Sequence, residues 1–80
     1  MIESLHTLER AMADLLDVPL EDLAGYSESL LDFGLDSVQI MLLVGLLEEQ
    51  GVELSFVELA AQVDLPTWWA LIENKKRAQG

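Results

Sequence analysis

The stretch Leu31-Asp32-Phe33-Gly34-Leu35-Asp36-Ser37-Val38 is where the chain changes character, from a loop punctuated by glycine and serine to its most apolar helix. Asp36 has the identity of an N-cap. Gln39 stands three residues after it, so the pair fits a capping box. Ser37 then takes the first helical position, exposed at the positive end of the helix. Free backbone N–H groups and the macrodipole both favour phosphate there. A serine so placed suits carrying a phosphodiester better than attacking a substrate.

Downstream of Ser37 the helix is predicted to run to about residue 50 and to stop at Gly51, a good residue for leaving a helix. Ile40, Leu43, Val44 and Leu47 form a core stripe at the i, i+3, i+4, i+7 spacing. Val38, Met41 and Gly45 fall on another face, the one shared with Ser37. That apolar face either packs under the preceding loop or serves as a docking patch, with Met41 as its adaptable member.

Upstream, Leu5, Leu8, Met12, Leu15 and Leu16 recur at helical spacing, which predicts a first amphipathic helix over residues 3–16. Glu3, Glu9, Arg10 and Asp14 are assigned to its outer face. Pro19 is expected to stop it. Residues 17–36 form a long connection, and its apolar residues Leu20, Leu23, Tyr26, Leu30, Leu31 and Phe33 are expected to pack it over the helices. A connection of that length in a compact domain has structure or function of its own.

Beyond Gly51, Val52-Glu53-Leu54 reads as an extended link. Ser55 and Glu58 make a second capping box opening a brief helix over residues 56–62. If Val57, or Leu59 with Ala60, turns inward, Phe56 must lie near the surface. Asp64 caps a last helix with Pro66 in its first turn, where a missing N–H costs nothing. Trp68, Leu71 and Ile72 supply its buried stripe, with Trp69 part-buried beside them. Lys75, Lys76 and Arg77 oppose the negative end of that helix, and residues 74–80 are expected to be a frayed basic tail.

Together these elements predict an all-α fold: a small four-helix bundle of three main helices plus a short third helix, with a long first loop, in a single domain over residues 1–80. The 80 residues include no cysteine, which excludes a disulfide framework and a cysteine-based metal site. Net charge is −11, and Lys75, Lys76 and Arg77 are three of the four bases. Residues 1–74 hold all 15 acids and only Arg10, a balance of −14. A polyanion repels nucleic acid and anionic membrane and favours partners with basic docking surfaces. It also disfavours self-association, so a monomer is expected. The longest apolar run, residues 40–47, is too short to span a bilayer. The N-terminus lacks the pattern of a signal peptide, so a cytoplasmic location is the expectation. Acid spacing around Asp32 and Asp36 does not match a calcium loop. The one histidine, His6, has no orienting motif, and no Gly-x-Ser-x-Gly elbow surrounds Ser37, so a catalytic serine is disfavoured.

The stretch around Ser37 resembles the prosthetic-group site of acyl and peptidyl carrier proteins, in which the serine after Gly-x-Asp receives 4′-phosphopantetheine from coenzyme A. The resemblance covers nearly the whole chain. It is strongest to the aryl carriers of siderophore-type nonribosomal synthesis, at Gly34-Leu35-Asp36-Ser37-Val38, Phe56-Val57-Glu58-Leu59-Ala60 and Trp68-Trp69-Ala70-Leu71. Gln39 departs from the basic residue common there, and Asp64-Leu65-Pro66-Thr67 from the usual Pro-Thr-rich helix start. The resemblance implies a non-catalytic carrier with phosphopantetheine on Ser37. A phosphopantetheinyl transferase reads Asp36, an adenylating enzyme loads an aryl acid as a thioester, and a condensation partner reads Met41, Phe56 and Ala60, with Val38 on the same face. The alternatives are an acyl carrier of polyketide or fatty-acid type, a carrier of an amino acid, and an unmodified carrier-like interaction module.

Overall fold

A computed structural model describes residues 1–79. Its elements are α1 (Leu5–Leu16), α2 (Leu20–Leu23), a 3-10 turn (Leu30–Phe33), α3 (Ser37–Glu49), α4 (Phe56–Ala60) and α5 (Leu65–Gln79), with no strand among the described residues. The fold is all-α. The three long helices and the short one before the last are those predicted, and the long connection adds α2 and the 3-10 turn.

α1 starts two residues later than its apolar spacing suggested, because Ser4 caps it in a reciprocal box with Thr7. It also ends before Pro19. Asp17 adopts the left-handed conformation (φ 57°), and the Val18 N–H closes back onto the Ala13 carbonyl at 3.0 Å. This is a Schellman stop, in which the last carbonyls find partners before proline is reached. Pro19, extended at ψ 143°, instead precedes α2. α3 ends the same way at Gly51 (φ 81°), with Val52 N–H bonded to the Leu47 carbonyl at 2.9 Å. A left-handed residue costs least as glycine.

Leu8 and Met12 of α1, Leu43 and Leu47 of α3, Leu59 of α4 and Trp68 and Ile72 of α5 meet in one core. Ile40 and Val44 complete the predicted α3 stripe, all four members being buried. The Trp68 indole N–H donates to the Leu59 carbonyl at 2.8 Å in the interior, joining α5 to α4 and satisfying both groups. Ile2 is buried as well. Its N–H donates to Gln50 Oε1 and its carbonyl accepts from Lys76 Nζ, both at 2.9 Å, which ties the N-terminus to the ends of α3 and α5.

Three assignments are corrected by the packing. Glu9 is not on the outer face: it is buried, because the connection folds back over α1 and brings the Gly25 N–H to Glu9 Oε2 at 2.9 Å. Leu31 does not pack over the helices but is 63% exposed, since the tight 3-10 turn buries Leu30 and sends its neighbour outward. α4 stops at Ala60, short of residue 62. The stretch from residue 74 read as a frayed tail is helical in α5 as far as Gln79; Gly80 lies outside the described residues. Lys76 Nζ stands 5.7 Å over the Trp69 ring, and Lys75 Nζ is 3.8 Å from Glu58 Oε1.

Candidate functional site

Ser37 is the first residue of α3, and its position is set from both sides. Behind it, Asp36 is extended (φ −133°, ψ −176°) and its Oδ1 accepts from the Val38 N–H at 2.9 Å. The Asp36 N–H donates to Gln39 Oε1 at 2.8 Å, so the predicted capping box is closed in both directions. Ahead of the cap, Leu30 and Leu35 are buried and pin the loop on the core. The Leu30 N–H reaches the Val63 carbonyl between α4 and α5 at 2.8 Å. Gly34, left-handed at φ 80°, turns the chain between the two anchors.

The result is an exposed Ser37 whose hydroxyl has no hydrogen-bond partner among the described residues. It sits at the positive end of a 13-residue helix. An anion bonded to that oxygen lies in the field of the helix dipole. These residues fit a phosphodiester: a reachable hydroxyl, a favourable field, and no enclosing wall to cross.

Loop residues reinforce the approach to the cap. The Tyr26 hydroxyl donates a hydrogen bond to Asp32 Oδ2, and the Tyr26 ring packs edge-on against Phe33 at 4.8 Å and 74°. The bond to Asp32 pushes the Tyr26 phenol up to about 12, with desolvation and the Asp32 and Glu28 charges acting the same way.

Val38 and Met41 are exposed, at 60% and 54%, so the loop does not cover them. α4 packs on α3 and carries a half-buried Phe56 and an exposed Ala60. Leu59 is the residue of α4 that turns fully inward, leaving Val57 at the surface. The four candidate docking residues therefore lie on two neighbouring helices. The sequence reading did not single out Leu42 and Leu46, which are 50% and 37% exposed. Their signal was present: from Val38 they follow at i+4 and i+8, a second apolar stripe on a helix that already had one. His6 is an exposed residue of α1, 3.4 Å from Glu9 Oε1. Among the described residues no cluster of His, Cys, Asp or Glu is placed to hold a metal ion. Among those residues no helix is long and apolar enough to cross a membrane.

Two comparisons with known proteins find relatives. Residues 6–67 match the family described as "Phosphopantetheine attachment site". The chain is 47% identical over 51 residues to pseudomonine synthase PmsE of Pseudomonas entomophila, an alignment covering 64% of this chain and 8% of the synthase. It is 39% identical over 70 residues to an isochorismatase of Bacillus subtilis, covering 88% of this chain and 22% of that protein. It is 33% identical over 76 residues to the acyl carrier protein ScoB of Streptomyces coeruleorubidus, covering 92% of this chain and 89% of ScoB. The chain thus spans less than a quarter of the synthase and of the isochorismatase. No solved structure matches.

Proposed function

Because this chain belongs to the phosphopantetheine attachment family, a non-catalytic carrier bearing that group on a serine, we propose that the serine is Ser37 and that the cargo is an aryl acid. The observation that carries the first part is the unpartnered, exposed hydroxyl of Ser37 at the start of α3, inside the matched region. The other serines there serve other ends. Ser29 and Ser55 are spent on capping, each accepting from a backbone N–H, and Ser27 lies in a loop with no helix behind it.

Attachment joins Ser37 Oγ to the phosphate of the incoming arm while the hydroxyl proton leaves and the nucleotide part of coenzyme A departs. When bound, the group supplies a thiol on a flexible arm, on which an acid is held as a thioester. The chain's own part is to hold the oxygen outward, favour the phosphodiester charge, and offer surfaces that partner enzymes read. Asp36 fixes the cap and presents a carboxylate beside the reacting oxygen, the position a transferase recognises. Val38, Met41, Phe56 and Ala60 form the face read by a condensation partner.

The aryl reading rests on the resemblance at Phe56–Ala60 and at Trp68-Trp69-Ala70-Leu71, and is supported by a synthase and an isochorismatase among the relatives. In it, an adenylating enzyme loads the aryl acid and a condensation enzyme transfers it to an amine in nonribosomal, siderophore-type synthesis. We read residues 1–80 as one carrier domain, monomeric and working in the cytoplasm. A second reading, a general acyl carrier, is favoured by the match to ScoB along most of both chains.

The test is intact mass after incubation with coenzyme A and a broad-specificity phosphopantetheinyl transferase, then with adenylating enzymes and aryl, amino or short acyl acids. The expected result is a gain of one phosphopantetheine, lost in Ser37→Ala, followed by a second gain with 2,3-dihydroxybenzoate or salicylate. Loading that survives Ser37→Ala would overturn the site. Loading with acyl groups alone would favour the second reading.

A further inference from the structure

Leu30 and Leu35 are buried, but of the residues between them only Phe33 is half-buried; Leu31, Asp32 and Gly34 lie at the surface. This exposed shoulder leads into the Asp36 cap and Ser37. Its own hydrogen bonds are short-range. The Leu31 N–H donates to Ser29 Oγ and the Asp32 N–H to the Ser29 carbonyl, both at 3.2 Å, and the Gly34 N–H donates to the Leu31 carbonyl at 3.0 Å. A single 3-10 turn closed by such bonds is weakly held, because their geometry is poorer than in an α-helix.

Tyr26 holds the turn from outside. Its backbone N–H donates to the Leu23 carbonyl at 2.9 Å, and Leu23 is fully buried, so Tyr26 is fixed to α2 and the core. From there one side chain reaches two successive residues of the turn. The hydroxyl bonds to Asp32 Oδ2, and the ring packs edge-on against Phe33. A polar and an apolar contact to neighbouring residues fix the rotation of the turn as well as its place. Phenylalanine would keep the ring contact; the hydroxyl adds only the bond to Asp32.

We propose that Tyr26 is a positioning residue for attachment at Ser37: its grip on Asp32 and Phe33 keeps the exposed shoulder in the shape that a phosphopantetheinyl transferase meets beside the serine. The proposal rests on Ser37 being the attachment site. An enzyme that brings the coenzyme A phosphate to Ser37 Oγ covers the residues flanking it, so the shoulder is part of the surface it binds. A chain that holds the shoulder in place for only a fraction of the time binds more weakly by the inverse of that fraction. Once bound, the reacting atoms are the same. Loss of the grip therefore acts on KM for the carrier and leaves kcat.

The experiment uses the full chain with a broad-specificity phosphopantetheinyl transferase and saturating coenzyme A, followed by intact mass, together with amide hydrogen exchange of the unmodified chain. Tyr26→Phe is expected to raise KM roughly fivefold with kcat within about twofold of the parent. Exchange at the Asp32 and Gly34 N–H groups should quicken severalfold, while the Leu30 N–H, bonded to the Val63 carbonyl, keeps the parent rate. Tyr26→Leu, which loses the ring contact as well, should show a larger rise in KM. Ser55→Ala is the control for stability: it removes the cap of α4 and should lower Tm by about 5 °C with KM unchanged. A KM for Tyr26→Phe within twofold of the parent overturns the inference, as does an equal rise in Ser55→Ala. A rise in KM without faster exchange makes Tyr26 a direct contact of the transferase and overturns the positioning role. Modification that survives Ser37→Ala overturns the site reading and this inference with it.

Discussion

The Glu9 carboxylate accepts a hydrogen bond from the backbone N–H of Gly25, 2.9 Å away and 16 residues further along the chain. Among the described residues it is the one charged side chain that is buried, and it holds the start of the long connection on α1. Removing it strands the Gly25 N–H. Glu9→Ala is expected to cost about 2 kcal/mol, in the range for a hydrogen bond to a charged group, and to lower Tm on the order of 10 °C. Glu9→Gln keeps an acceptor oxygen and should lose about half of that or less. Thermal unfolding followed by circular dichroism measures both, and equal stability of Glu9→Ala and the parent would show that the contact contributes nothing.

Asp36 has two separable roles in the proposed site. As a cap, it satisfies the Val38 N–H; as a charge, it is the group we propose the transferase reads. Asp36→Asn keeps a capping oxygen and should leave stability within about 0.5 kcal/mol of the parent. Asp36→Ala removes the cap and should cost about 1 kcal/mol. Both should slow phosphopantetheinylation severalfold if the transferase reads the carboxylate. Urea midpoints and modification rates, measured on the same preparations, separate the two roles.

The Met41 and Phe56 face should matter after loading. Met41→Ala and Phe56→Ala are expected to leave phosphopantetheinylation and aryl loading near parent rates while slowing transfer to the condensation enzyme about tenfold. Met41 is more than half exposed, so its truncation should barely change Tm. Single-turnover transfer from the loaded carrier is the readout. Parent-rate transfer by both variants would remove this face from the docking surface.

Tyr26 is the only tyrosine, so its ionisation can be followed directly by phenolate absorbance. The bond to Asp32 raises its pKa from 10.0 to about 12. The sign follows: a folded pKa above the unfolded one makes this contribution to stability complete below pH 10 and lost as pH rises toward 12. In the parent, phenolate absorbance should appear with a midpoint well above 10. In Asp32→Ala it should return toward 10, with circular dichroism confirming that the fold persists. A parent midpoint near 10 would mean that the Tyr26–Asp32 bond does not form in solution.

Local chemistry alone determined much of this protein. The boxes Asp36/Gln39 and Ser55/Glu58, the cap at Asp64 and the stop at Gly51 are contacts between residues at most five apart. They need only a helix beginning or ending there, and residue identity at fixed spacing announces them. The α3 core stripe was legible for a similar reason, since helical periodicity places Ile40, Leu43, Val44 and Leu47 on one side whatever the neighbours are. So was the position of Ser37, exposed at a helix start in a field that the helix itself supplies.

Tertiary structure decided what depends on distant chain. Glu9 reads as a surface residue because no sequence rule says that the Gly25 N–H will fold over it; burial of a carboxylate is settled by its partner. Leu31 reads as core because it is apolar, and the 3-10 turn that turns it outward is held by Leu30 against Val63 across the bundle. α3 carries a second apolar stripe beside its core stripe, and periodicity alone did not decide whether another part of the chain covers it. The packing of α1, α4 and α5 left Val38, Met41, Leu42 and Leu46 open. Sequence specified the helices and their ends through short-range hydrogen bonds, while long-range burial chose which faces remain available to partners.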